Sequence, residues 1–163
     1  GMSDYGGRRI KRSILIDISS VRFMEGKDIE KLKKLPSINK YLSEKINEIE
    51  KYNNSVDEEK EKRKLTNLGT LRAYLVNYLK NHQDLNTDTM TLIVRQLSPT
   101  SEGVPLEVYT FTNTVDWVEY EGIQSDIFDH IFAVLPKFGL RAFQGGTVEA
   151  AASRGQSINE TEI

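Results

Sequence analysis

Between Pro105 and Arg141 the hydrophobic period of the chain switches from two to 3.6 and back, and few folds accommodate that order. Leu106 to Phe111 alternates like a strand that buries one face. After a polar turn, Tyr120, Ile123, Ile127, Ile131, Val134, Leu135 and Phe138 recur at three- and four-residue spacing, which is one stripe of an amphipathic helix. Lys137, Phe138 and Gly139 then lead into Leu140 to Gln144, read as a short closing strand. The unit is strand, helix, strand, with no catalytic signature inside it.

The same two periods organise the rest of the chain. Ile10 to Ile18 predicts a first strand with Ile10, Ile14, Ile16 and Ile18 on one side and Lys11, Ser13 and Asp17 on the other. Arg12 interrupts the apolar side near the strand's start, where a long side chain still reaches water. Leu68, Leu71, Leu75, Tyr78 and Leu79 predict a helix capped near Thr66 or Thr70 and ending before Asn81. Met90 to Leu97 and Leu106 to Phe111 read as two strands joined through Ser98 to Pro105, a loop with the Pro, Ser and Gly content of a hairpin.

Glu25 to Lys64 stands apart, rich in Lys and Glu and poor in aliphatics. Within it Ile38, Tyr41, Leu42, Ile46, Ile49 and Tyr52 predict one amphipathic helix beginning at Pro36 and Ser37, followed by a solvated charged stretch. Treated as a peripheral insert, it leaves the order β-α-β-β-α-β. The expected fold is therefore α+β and ferredoxin-like, both helices packing on one face of an antiparallel sheet. The domain is expected over residues 6–144, with the charged helical insert at 25–64 and a flexible tail at 145–163.

A chain of 163 residues is about the size of one domain, and long enough for a substantial core. Its longest apolar runs fall far short of the roughly 20 residues needed to cross a bilayer. With no cysteine, thiolate nucleophiles and cysteine metal sites are excluded. No phosphate loop, nucleophile elbow or HExxH pattern occurs, so neither an enzyme nor a cofactor is expected. A net charge of −2 offers little attraction to nucleic acid.

Two surfaces are candidates for contact. With Ile14, Ile16, Leu92, Val94, Leu106 and Val108 turned toward the helices, Leu15, Ile93, Leu97, Tyr109, Phe111 and Phe143 face the other way. That apolar set marks a subunit interface or a seat for the insert helix. Trp117, at the start of the last helix, is either core or part of that interface. Arg8, Arg9, Lys11 and Arg12 form a dense basic cluster, either a solvated strand end or a contact for anions or lipid headgroups. Asp126 and His130, one helical turn apart, read as an intrahelical hydrogen bond rather than half of a metal site.

Four stretches carry a family resemblance in the same order: GGRRIKRSILIDISSVRF (Gly6 to Phe23), TNLGTLRAYLVNYLKNH (Thr66 to His82), MTLIVRQLSP (Met90 to Pro99), and the block from Pro105 to Arg141 with FTNT, WVEYEGIQSDIFDHIFAV and FGLR. Together they resemble the C-terminal cytoplasmic domain of the small-conductance mechanosensitive channel family, in its miniconductance-type branch. The resemblance implies a homo-oligomer, heptameric in that family, whose cytoplasmic domains surround a vestibule beneath a pore in the cell inner membrane. The membrane would be reached through an N-terminal region outside this chain. It also implies release of ions and small solutes on hypo-osmotic shock, with no chemistry in this domain. The tail after Gln144 lacks the alternation of the terminal barrel strand that some members carry. Beside this stand two other expectations for such a fold, a nucleic-acid-binding module and a small-ligand regulatory domain.

Overall fold

The computed structural model describes residues 6–58 and 62–145. Within them the chain runs β1 (Arg9–Ile16), α1 (Gly26–Leu32), α2 (Pro36–Asn53), α3 (Asn67–Lys80), β2 (Ile93–Gln96), β3 (Val104–Phe111) and α4 (Trp117–Val134). The architecture is α+β, with an antiparallel sheet of order β1-β3-β2. β3 pairs with β1 from Arg9↔Phe111 to Ile16↔Val104, and with β2 from Ile93↔Tyr109 to Gln96↔Leu106. A tight turn at Thr100 and Gly103 feeds β3, with Gly103 at φ 105, a value that favours glycine. No helix among the described residues is long and apolar enough to cross a membrane.

Alternation along the strands puts Ile10, Ile14, Ile16, Val94, Leu106 and Val108 on one face, and all are buried. Against them lie Leu68, Leu71, Leu75 and Leu79 of α3 and Ile127, Ile131 and Val134 of α4, in one continuous core. Both helices start where a side chain takes an otherwise orphaned amide: Thr66 Oγ1 accepts from Gly69 N at 3.1 Å, and the Asp116 carboxylate from Glu119 N at 2.9 Å.

Four expectations change, the first being that β2 spans only Ile93–Gln96 and not Met90 to Leu97. β1 stops at Ile16, not Ile18, because the Asp17 carboxylate accepts from Ser19 N at 3.0 Å and winds Ile18–Ser20 into a 3-10 turn. Ile18 is consequently 59% exposed. Leu140 to Gln144 forms no full strand; it meets β1 at the single bridge Ile16↔Ala142, flanked by Asp17 N to Arg141 O and Phe143 N to Leu15 O, both 2.8 Å. Toward Leu140 the pairing ends because β1 has already turned at Asp17. The expected tail lies outside the described residues from 146 onward.

The largest change concerns the insert. Its described residues hold two helices, α1 and α2, and α2 packs on α3. Ile38 and Leu42 are 1% and 0% exposed and belong to the main core, so the segment is not peripheral. Its ends close on each other through the bridge Phe23↔Thr66 and Met24 N to Leu65 O at 2.8 Å. A polar knot fastens the same junction: buried Asn67 accepts from Arg22 N at 3.0 Å and donates to Ser20 O at 2.9 Å. Beside it Arg22 meets Asp28 at 2.9 Å, and Arg22's hydrogen bond holds the Asp28 carboxyl at about 2.

Candidate interaction surface

The odd-numbered residues of β1 and β3 share the sheet face turned away from the helices. Across it the register sets Tyr109 between Lys11 and Ile93, Glu107 between Ser13 and Arg95, and Pro105 beside Leu15. Phe111 lies opposite Arg9. Ile93 is 40% exposed; Leu15, Leu97, Tyr109 and Phe143 are half-buried; Phe111 and Glu107 are buried. The insert helix does not lie on these residues, since α2 is seated on α3.

The face is more polar than its apolar set alone indicates. Arg95 Nε lies 2.7 Å from Glu107 Oε2, and the carboxylate is buried while the guanidinium is half in solvent. Tyr109 and Phe111 meet edge to face at 5.6 Å, and the Arg9 guanidinium stands over the Tyr109 ring at 5.9 Å. Periodicity alone does not reveal the ion pair, although Arg95 and Glu107 fall at alternate positions on the same face as the apolar set. Its signal is the cross-strand register, which requires knowing that β2 and β3 pair.

The basic cluster is dispersed, for the same geometric reason. Successive strand residues point to opposite faces, so Arg9 and Lys11 join the open face while Arg12 lies over the Phe128 ring of α4 at 4.2 Å. Arg8 turns to the start of α4, with its guanidinium 5.2 Å from the Tyr120 ring centroid and Nη1 donating to Val115 O at 3.4 Å. Four adjacent charges thus serve three surroundings. Trp117 is not core: it is 60% exposed on the first turn of α4, with Val115 and Val118 also exposed. Phe143 borders an open groove of about 740 Å³ that Phe132, Leu135, Pro136 and Leu140 also line.

His130 takes a partner other than Asp126. Its Nε2 is 2.8 Å from the Tyr74 hydroxyl on α3. Its ring stacks on Tyr78 at 4.0 Å and 7°, and Tyr78 in turn meets His82 edge-on at 5.8 Å. The two histidines of the chain therefore sit in one aromatic seam between α3 and α4. Burial, then the charges of Lys137 and His82, hold His130 below the ordinary histidine value. Burial also raises the Tyr74 and Tyr78 hydroxyls. Among the described residues no group of three or more His, Asp or Glu side chains gathers as metal ligands. A comparison of the chain with models of known protein families matches none.

Proposed function

We propose that this domain is the cytoplasmic C-terminal part of a subunit of the small-conductance mechanosensitive channel family, miniconductance-type branch. The observation that carries the reading is the open sheet face, where Ile93, Leu97, Tyr109 and Leu15 lie around the Arg95–Glu107 pair. A partly apolar face with a polar network is the makeup of a surface that meets another protein. The four resembling stretches supply the partner, another copy of the subunit, and the heptamer of that family. Strand order supports the finer fold: with β3 between β1 and β2 and the bridge Ile16↔Ala142 on the other edge of β1, we read the sheet as ferredoxin-like with its last strand reduced to that bridge.

In this reading the domain works mechanically. Copies ring a vestibule beneath a pore at the inner membrane, formed by segments outside this chain, and tension on those segments opens the gate on hypo-osmotic shock. The test uses the absence of cysteine from this chain, with any cysteine elsewhere in the subunit first replaced by serine. Ile93→Cys and Leu97→Cys in the full-length protein, oxidised in membranes, should give crosslinked ladders of subunits, whereas Lys51→Cys on α2 should not. Failure of both sheet-face variants to crosslink would remove this interface.

A second reading has its own observation. Tyr109 and Phe111 lie on the central strand with Arg9, Lys11 and Arg95 around them, an arrangement like that of modules that stack bases on a sheet. Salt-sensitive, submicromolar RNA retention in a filter-binding assay would favour it, and no retention at low salt would eliminate it.

A further inference from the structure

The insert and α3 enclose a cavity of about 160 Å³, lined by Lys45, Arg63, Lys64 and Arg72 together with Tyr41 and Thr66. Four basic residues line this space, the Arg63 guanidinium also standing over the Tyr52 ring at 5.3 Å, and among the described residues the carboxylates that pair with them do not cover all four. Glu48 reaches Lys45 Nζ at 3.3 Å and Arg63 Nη1 at 3.8 Å. Lys64 Nζ lies 5.9 Å from the Phe23 ring centroid. Arg72 is the exception: among the described residues no carboxylate pairs with it, and its Nε is buried without a hydrogen-bond partner.

Such an arrangement is unfavourable as it stands. A buried guanidinium N–H without an acceptor loses its hydration and receives nothing in return. Neighbouring like charges add repulsion. One ligand class corrects both faults, because a tetrahedral oxyanion offers acceptors to the planar guanidinium fork and countercharge to the lysines. We infer that this cavity binds a phosphate group, free or carried on a larger molecule, with Arg72 as its central donor. Bound there, the anion ties α2 and the Arg63–Thr66 segment to α3. This site does not depend on the channel reading.

The chain is to be melted in inorganic phosphate and in chloride at equal ionic strength, with calorimetric titration of phosphate alongside. Phosphate should raise the melting temperature of the parent chain by several degrees over chloride, and Arg72→Met should abolish the rise. In chloride alone Arg72→Met should melt at or above the parent, since it removes an unpaired cation; a merely structural arginine would give the opposite sign. Lys64→Gln, which leaves Arg72 in place, should weaken the phosphate response. Equal melting in both salts with no heat of binding would overturn the site, as would a phosphate response undiminished in both variants. Flotation with phosphatidate vesicles identifies the source: flotation lost in Arg72→Met assigns a lipid headgroup, and a phosphate response without flotation assigns the free anion, each in support of the site.

Discussion

The two faces of β3 differ in what they complete. Val104, Leu106, Val108 and Thr110, on the helix side, are at most 4% exposed and finish a core within the chain. On the other side Glu107 is buried only with Arg95 across from it, Tyr109 is half-buried beneath Arg9, and Ile93 next to Tyr109 is 40% exposed. One face therefore gains its free energy from folding alone, while the other keeps apolar area in contact with solvent. The insert helix α2 sides with the first, since Ile38 and Leu42 are as buried as the sheet residues.

The largest effect should come from the helix side. Leu106→Ala and Leu42→Ala, each at a position with no exposure, should each lower unfolding free energy in urea by about 3 kcal/mol. A Leu42→Ala cost near zero would return the insert to the periphery. Next, Arg95→Ala should cost about 1–2 kcal/mol by stranding the Glu107 carboxylate. Adding Glu107→Leu to it should restore most of the loss, because an apolar side chain needs no partner in that place. Unchanged urea midpoints in Arg95→Ala would show that the pair is incidental.

The α3–α4 seam predicts a pH response. Folded His130 resists protonation more than an unfolded histidine of ordinary value 6.5, so the unfolded chain binds the extra proton first. Stability should be fully present above about pH 6.5 and fall as pH drops below it. The charged or titratable groups about the ring are Tyr74 and Tyr78 from α3, His82 just after it, Lys137 after α4, and Asp126 one turn before. His130→Gln should flatten the fall in melting temperature between neutral and mildly acidic buffer; an identical slope would place the response in the carboxylates instead. The smallest effect on folding belongs to the open face. Ile93→Ser should shift the unfolding free energy of this domain by no more than about 0.5 kcal/mol, yet reduce crosslinking at Leu97→Cys in the full-length protein.

Much of the framework was readable before any coordinates. The strand alternation at Ile10 to Ile18 and Leu106 to Phe111, the stripes of α3 and α4, and Thr66, one of the two caps the sequence offers, match the structure within a few residues. Which side of the sheet holds Leu15, Ile93 and Tyr109 was also readable, because a period of two leaves no choice once one face is apolar. The candidate surface was less so. Arg8, Arg9, Lys11 and Arg12 looked like one patch only while they were read as neighbours in sequence, and the ladder divides them.

The amino-acid order by itself determined the elements, since caps and periodicity act between residues two to four apart. Tertiary structure alone decided where α2 packs, since its stripe of Ile38, Leu42 and Ile49 fits any apolar groove and α3 supplied one. It also decided that β1 and Ala142 share only one bridge, that His130 answers Tyr74 rather than Asp126, and that Arg72 lines a cavity beside other basic residues with no carboxylate pairing it among the described residues. Each of these pairs residues far apart in sequence, whose meeting depends on how whole helices and strands pack, and no local period encodes that distance.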